Sequence, residues 1–140
     1  MSDPKTDKRT TLLEAGAEVM LQKGYNGTGI QEIVDRAGVP KGSFYNYFKS
    51  KEAFAVSALE HLSQTSRDAY EAVLQDPEAP PRQRLLNLFD QLIADHITSN
   101  DFTKGCLVGK LCQEMAEVNP VIGDKVEYLF RHYASVIGRC

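Results

Sequence analysis

The sequence predicts an all-α fold on three observations. Apolar residues recur every three or four positions through each long segment of the 140-residue chain, as they do along the buried side of a helix. Residues typical of helix starts precede several of these segments, namely Pro40, Ser50 and Pro81. No segment alternates apolar and polar residues as a half-buried strand does, and no repeat or low-complexity tract interrupts the pattern. Packed helices are therefore the expected architecture.

The first predicted helix runs from about Lys8 to Lys23, and Gly24 ends it. Its apolar positions share one side of the helix and consist of Leu12, Leu13, Gly16 and Met20. Residues 1–7 are polar, and we expect them to form a disordered arm.

Residues 28–51 predict two short helices joined by a tight turn. Thr28 and Gln31 form a capping-box pattern at the start of the second helix. The inward side of that helix consists of Ile30, Ile33, Val34 and Ala37. Gly38 can adopt the left-handed conformation that the turn needs, and Pro40 can open the third helix because no N–H is required there.

The third helix has two different sides. Phe44 and Phe48 are four positions apart and face back toward the second helix. The other side carries hydrogen-bond donors and a flat aromatic ring, on Lys41, Gly42, Ser43, Tyr45 and Asn46. Such groups suit DNA phosphates and base edges, and a helix-turn-helix unit places its second helix in the major groove.

Four more helices are expected after residue 50. They span about 51–75, 81–97, 105–118 and the segment that follows Asn119-Pro120, with a linker at 76–81 and a polar loop at 98–104. The inward side of the fifth helix is predicted to consist of Leu85, Leu88, Phe89, Leu92, Ile93 and His96. That of the last helix is predicted to consist of Ile122, Val126, Leu129, Phe130, Tyr133 and Ile137.

Residues 8–56 resemble the N-terminal signature of the tetracycline-repressor (TetR) family. The resemblance is carried by Lys-Gly-Ser-Phe-Tyr-Asn-Tyr-Phe-Lys-Ser-Lys-Glu-Ala-Phe at 41–54 and, upstream, by Leu12, Leu13, Ala15, Met20, Gly24, Tyr25, Thr28, Ile30, Ile33, Ala37, Gly38 and Val39. It implies a DNA-binding domain over 1–50 and a helical ligand-binding and dimerisation region over 51–140. Because family members extend well past this length, we expect the second region to be incomplete at its C-terminus.

The resemblance implies DNA contact by eight residues: Thr28, Lys41, Gly42, Ser43, Tyr45, Asn46, Tyr47 and Lys51. Lys51 is expected at the start of the fourth helix, where its ammonium and free backbone N–H groups can both meet a phosphate. The alternative for Tyr45 and Tyr47 is a role in the core. The alternative for Lys41 and Asn46 is a solvated surface.

In this family the later helices enclose an effector pocket, so the resemblance makes some of their residues pocket candidates. These are Phe89, His96, Met115 and Tyr133. If no pocket is present, the same residues would belong to the core. His96 in particular would then be a hydrogen-bonded core histidine.

Cys106 is a candidate for redox or electrophile chemistry. It is predicted in the first turn of the sixth helix, where free N–H groups and the helix dipole favour the thiolate. Lys110 is four residues on, and Lys104 is near in sequence. Some electrophile- and oxidant-responsive repressors of the family have a similar Gly-Cys-Leu start to this helix. The alternative is a small buried apolar residue.

Composition excludes several classes of protein. Residues 1–56 carry a net charge of +1 and residues 57–140 a net charge of −4, which argues against nonspecific coating of nucleic acid. The three histidines have no partners at metal-ligand spacing, and no phosphate-binding loop is present, so neither an enzyme, a metal site nor a cofactor is expected. No apolar run approaches the roughly 18 residues of a membrane span, and no signal peptide is expected. An odd number of cysteines favours a reducing cytoplasm.

The sequence thus predicts a homodimeric transcriptional repressor that binds operator DNA. A small-molecule or electrophile effector, or modification of a cysteine, would shift the fourth helix and release the DNA. The alternative is a helical interaction module of the same fold that lacks effector-regulated DNA binding.

Overall fold

A computed structural model describes residues 4–98 and 105–140, and these form seven α-helices with no strand among them. The helices are α1 (Pro4–Lys23), α2 (Ile30–Ala37), α3 (Lys41–Tyr47), α4 (Lys51–Leu74), α5 (Pro81–Thr98), α6 (Leu107–Met115) and α7 (Pro120–Gly138). The all-α prediction is confirmed. The predicted loop over 99–104 lies outside the described residues.

Two helix starts are fixed by side-chain caps. The Ser50 hydroxyl accepts the Ala53 N–H at 3.1 Å, as the sequence predicted for α4. The Asn119 side chain accepts the Ile122 N–H at 3.0 Å, and Pro120 occupies the first turn of α7. These caps satisfy backbone donors that the helix itself cannot pair.

Three predicted helix starts are wrong. Helix α1 begins at Pro4 and not near Lys8, because proline suits a first helical position and nothing after it breaks the helix. The capping box at Thr28 does not form. The N-cap of α2 is Gly29, which has no side chain that could accept a backbone N–H. Helix α6 begins at Leu107, so Cys106 is its N-cap and not part of its first turn.

One hydrophobic core joins the N-terminal helices to α6 and α7. Its aromatic centre is Phe54 of α4, whose ring lies 5.4 Å from that of Phe44 and 4.9 Å from that of Phe48. The predicted inward residues of α1 are buried there, as are Leu111 of α6 and Leu129 of α7. Because this core is continuous, the helix-turn-helix head is not an independently packed unit.

Helix α5 is less buried than its sequence pattern predicted. Only Leu88 is buried, in a small second cluster with Leu74 and Val136. Phe89 and Ile93 are 60% and 53% exposed, because α5 packs mainly against α4 and uses one narrow side to do so. The same correction applies to two residues of α7 that were predicted to be inward, Phe130 and Ile137.

Gly16 tests how tightly α1 packs on this core. A Cβ at Gly16 would lie 2.2 Å from Cζ of the buried Phe54, whereas a Cβ at Gly109 of α6 would meet nothing within 4 Å. We expect Gly16→Ala to lower the free energy of unfolding by about 1–3 kcal/mol through overpacking. Gly109→Ala, the control, should be neutral or stabilising by up to about 1 kcal/mol. Urea unfolding of both variants measures the difference, and equal stabilities would contradict this packing.

Candidate nucleic-acid interface and effector cavity

Helix α3 presents one polar and one apolar side, as its sequence predicts. Phe44 is fully buried, and its ring packs on those of Phe48 and Phe54. On the outer side Tyr45 is 54% exposed. The remaining candidate residues of α3 divide into exposed ones, which are Lys41, Gly42 and Asn46, and half-buried ones, which are Ser43 and Tyr47. The apolar side therefore fixes the helix, while the polar side faces outward.

The turn between α2 and α3 has the geometry of a helix-turn-helix unit. Gly38 is left-handed at φ 69°, and its N–H bonds to the Asp35 carbonyl at 3.2 Å. The Val39 N–H bonds to the Val34 carbonyl at 3.1 Å. Pro40, with extended backbone, then starts α3. This turn sets the direction of α3 across α2.

Surface charges on the head are divided between ion pairs and unpaired lysines. Lys23 pairs with Glu32 at 2.6 Å, and Arg36 pairs with Glu18 at 2.9 Å. Within residues 4–98 and 105–140, Lys41 and Lys49 make no ion pair, and both are exposed. Two cations at the two ends of α3 are thus available to a phosphate backbone.

Thr28 and Lys51 are placed differently from the other candidates. Thr28 is only 2% exposed, and its hydroxyl donates to the Gly24 carbonyl at 2.6 Å. The Lys51 ammonium donates to the carbonyls of Tyr25 and Thr28 at 2.9 and 3.1 Å, and it lies 4.4 Å from the Tyr25 ring centroid. Both side chains therefore hold the α1–α2 turn together, and their contact with DNA stays a prediction.

Tyr25 lies under the Lys51 ammonium and next to a carboxylate. Burial raises the pKa of the Tyr25 hydroxyl, and the negative charge of Glu52 raises it further. The Tyr25 phenol thus stays neutral to a higher pH than an ordinary tyrosine does. Lys51 consequently meets a neutral ring face and two carbonyls, which suits a cation–π contact combined with charge-assisted hydrogen bonds.

A cavity of about 450 Å³ lies among α4, α5, α6 and α7, and its volume is in the range of small-molecule sites. Its wall is mostly apolar. The apolar lining residues include Leu21, Leu59, Leu62, Leu74, Leu88, Leu92, Leu107, Val108, Tyr133, Val136 and Ile137. This composition suits an occupant with an apolar body.

Polar side chains also line the cavity. The His132 ring Nε2 lies 3.0 Å from the Glu71 carboxylate, and the Tyr70 hydroxyl donates to Asp95 at 3.4 Å. Burial raises the pKa of Tyr70, and the charge of Asp95 raises it further, so Tyr70 remains a neutral donor. Arg67 also lines the cavity, with Nη2 3.7 Å from Glu60. These groups can orient a polar end of an occupant.

Three of the six effector candidates line the cavity: Cys106, His96 and Tyr133. Cys106 is exposed as well as lining the cavity, and none of the three cysteines forms a disulfide. Its neighbour Gly105 is left-handed at φ 66°. His96 Nδ1 lies 2.7 Å from the Leu92 carbonyl, which fixes the ring on α5.

The other three candidates lie elsewhere, because contacts distant in sequence determine their positions. Phe89 is on the outer side of α5. Met115 is buried at the end of α6, with its sulfur 3.8 Å from the Asn26 side-chain nitrogen. The Lys110 ammonium donates to the Leu21 carbonyl of α1 and not to the Cys106 thiol, while Lys104 lies outside the described residues.

Sequence reasoning missed the polar wall of the cavity. Four of its residues were not singled out: Arg67, Tyr70, Glu71 and His132. The signal was present on α4, where polar residues recur at three- and four-residue spacing within an otherwise apolar pattern.

Among the described residues, no group of three acidic, histidine or cysteine side chains is placed to hold a metal ion. None of the described helices is long and apolar enough to cross a membrane.

Comparison with known proteins agrees with this geometry. The family described as "Bacterial regulatory proteins, tetR family" matches residues 12–58. The HTH-type transcriptional repressor DhaR of Mycobacterium sp. (strain GP1) is 34% identical over 97% of this chain and 66% of its own length. The HTH-type transcriptional repressor NemR of Escherichia coli (strain K12) is 37% identical over 81% of this chain and 56% of its own. The chain thus spans between about half and two thirds of these relatives, which are named repressors and not enzymes.

A solved structure extends the similarity to three dimensions. The crystal structure of E. coli NemR in its reduced form matches 95% of this chain and 68% of that chain at 33% identity, with a TM-score of 0.81. The similarity therefore covers the helical body as well as the helix-turn-helix head. By sequence and by structure, the chain belongs to the TetR family of bacterial regulatory proteins.

Proposed function

We propose that this protein is a transcriptional repressor that binds operator DNA through α3. The observation that carries the proposal is the outward polar side of α3, with Tyr45 and Asn46 exposed and, at both ends, lysines that form no ion pair with the described residues. The names of DhaR and NemR as repressors support it. A regulator of bacterial DNA would act in the cytoplasm.

The proposed DNA contacts differ in kind along α3. Lys41 would neutralise a phosphate, whereas Tyr45 and Asn46 would reach sugar, phosphate or base edges in the major groove. Gly42 would allow close approach of the backbone, and Ser43 and Tyr47 would contact the edges of the groove. Thr28 and Lys51 would support these contacts by holding the α1–α2 turn.

We infer further that the protein acts as a homodimer on a near-palindromic operator, since two such heads would read half-sites about one helical turn apart. Apolar side chains left exposed on the body support an interface there. Phe89, Ile93 and Ile97 recur every four residues on the outer side of α5 and are 60%, 53% and 58% exposed. Patches of this kind mark interaction surfaces.

Tyr45 provides the direct test of DNA binding. We expect Tyr45→Ala to weaken operator binding by about 1–3 kcal/mol, because a side chain in the groove is lost while the buried side of α3 is unchanged. Tyr128 of α7 is a matched control, since it is 53% exposed against 54% for Tyr45 and lies on the body. Gel shifts with an operator selected from random duplexes measure both variants. Equal affinities for Tyr45→Ala and Tyr128→Ala would contradict the proposed interface.

We propose that the cavity binds the effector. Its apolar wall and its few polar side chains suit a small apolar molecule with one polar end. An effector of this kind would favour the arrangement of helices that does not fit the operator. DNA would then be released because the effector binds more tightly to that arrangement than to the one that fits the operator. No cofactor is required for such a mechanism.

Cys106 is the proposed site of covalent sensing. Its exposed thiol on the cavity wall can meet an electrophile that enters. The thiol loses its proton to solvent, and its sulfur attacks an electrophilic carbon. An S–C bond forms while a leaving group departs, or while an activated double bond takes up a proton. The adduct adds bulk at the start of α6. That a relative, NemR, is described in a reduced form supports testing such thiol chemistry.

Iodoacetamide provides a test of this sensing step. We expect Cys106 to be alkylated faster than Cys112 and Cys140, which are both half-buried, and we expect the alkylated protein to release operator DNA. Mass spectrometry of each cysteine gives the rates, and a gel shift gives the release. The control is Cys106→Ser. Release of DNA from iodoacetamide-treated Cys106→Ser, or a Cys106 rate no faster than that of Cys140, would contradict the proposal.

The alternative is a helical interaction module without effector-regulated DNA binding. The outward side of α3 favours the repressor, since a module of that kind has no need of exposed aromatic and cationic groups there. A gel shift of the wild-type protein against random duplexes discriminates the two, because only a DNA-binding protein would retard them in a salt-dependent way.

A further inference from the structure

Helix α6 holds the turn between α1 and α2 through two side chains. The Glu114 carboxylate accepts the backbone N–H of Tyr25 at 2.8 Å and that of Asn26 at 2.9 Å. One helical turn earlier, the Lys110 ammonium donates to the Leu21 carbonyl in the last turn of α1. These contacts join residues almost ninety positions apart. We call Lys110 and Glu114 the α6 clasp.

The clasp pairs backbone groups that have no partner within their own helix. The Leu21 carbonyl is among the last four of α1, which an α-helix leaves unpaired. The N–H groups of Tyr25 and Asn26 lie in the turn, where no backbone carbonyl of residues 4–98 and 105–140 accepts them. A carboxylate that accepts two backbone N–H groups makes charge-assisted bonds, which are stronger than neutral ones. The clasp therefore fixes the position of the turn relative to α6.

The chain also leaves room for this carboxylate. Gly24 is left-handed at φ 77°, and a Cβ built there would lie 2.5 Å from Glu114 Oε2. Any other residue would displace the carboxylate or strain the backbone. Lys51 of α4 bonds to carbonyls of the same turn. The turn is thus the place where side chains of α4 and α6 meet the head.

The other end of α6 lies on the cavity. Gly105, Cys106, Leu107 and Val108 all line it. The helix has nine residues, a length of about 14 Å, and a helix this short moves as a rigid body. Lys110 and Glu114 are four residues apart, so they share one side of it. A displacement of the first turn of α6 would therefore also displace Lys110 and Glu114.

We propose that Lys110 and Glu114 are positioning residues that transmit occupancy of the cavity, or modification of Cys106, to the DNA-binding head. This inference rests on the function proposed above. It adds a second route to the expected shift of α4, which also runs from the head to the cavity. On this route a moving α6 pulls the α1–α2 turn, and the turn carries α2 and α3 with it.

The test compares Glu114→Ala with Glu117→Ala, which removes the same charge from an exposed position three residues on. Operator affinity is measured for each protein before and after treatment with iodoacetamide. Allosteric couplings commonly change affinity by about 5- to 150-fold. We expect a change in this range for the wild-type protein and for Glu117→Ala. We expect less than about a twofold change for Glu114→Ala, together with weaker operator binding before treatment.

Two further variants separate transmission from simple destabilisation. Lys110→Met keeps the length of the side chain but removes its donors, and it should also reduce the response to iodoacetamide. Glu114→Gln keeps one acceptor oxygen and should restore part of the response. A merely structural role would lower the melting temperature and leave the ratio of treated to untreated affinity at its wild-type value.

The outcomes distinguish this inference from the function on which it rests. A wild-type ratio retained by Glu114→Ala overturns the clasp and leaves the repressor intact. A wild-type protein that does not respond to iodoacetamide overturns covalent sensing. In that case weaker untreated binding by Glu114→Ala than by Glu117→Ala, at an equal melting temperature, supports the clasp. Equal binding, or weaker binding that a lower melting temperature accompanies, overturns it.

Discussion

The five residues from Gly24 to Thr28 form a turn, and several of its backbone polar groups need partners from elsewhere in the chain. The Gly24 N–H bonds to the Met20 carbonyl of α1 and the Thr28 N–H bonds to the Tyr25 carbonyl, but local backbone bonds do not pair the N–H groups of Tyr25 and Asn26 within the described residues. Lys51 supplies donors to two of the carbonyls, and Glu114 supplies acceptors to two of the N–H groups. The orientation of the head depends on this exchange. Without it, unpaired groups in a half-buried turn would cost about 1–3 kcal/mol each.

The turn complements the hydrophobic core that extends from the head into the body. Packing of Phe44, Phe48 and Phe54 supplies apolar contacts between the head and α4, and such contacts are not directional. Hydrogen bonds to the turn add direction to this packing. The cavity is lined by the start of α6, where Cys106 lies, and by Leu21 in the last turn of α1. Chemistry at the cavity and geometry at the head are therefore connected by a short, rigid element.

Local patterns in the sequence were sufficient to predict most of the fold. Helical periodicity predicted each helix, Ser50 and Pro81 marked two of their starts, and the two sides of α3 were assigned correctly. These features depend on residues within one or two turns of each other. The resemblance at residues 41–54 gave the family, because that run combines core and surface positions in a specific order.

What the sequence could not predict depends on contacts distant along the chain. Lys51 and Lys110 were expected at a phosphate and a thiolate, but both bond to backbone carbonyls that lie 23 or more residues away. Thr28 resembles a cap in sequence but bonds backward to Gly24. Phe89 fits the inward pattern of α5, yet among the described residues that helix packs mainly against α4 and leaves Phe89 exposed. Periodicity identifies an apolar side but not what covers it.

Hydrogen exchange at the turn tests the central claim most directly. In the wild-type protein, the amides of Tyr25 and Asn26 should exchange more slowly than the amide of Gly27, which donates no hydrogen bond to the described part of the chain. In Glu114→Ala, their exchange should accelerate about tenfold or more, because a charge-assisted bond contributes about 1.5–3 kcal/mol. The amide of Val19, within α1, should be unaffected. Unchanged exchange at Tyr25 and Asn26 in Glu114→Ala would contradict the account.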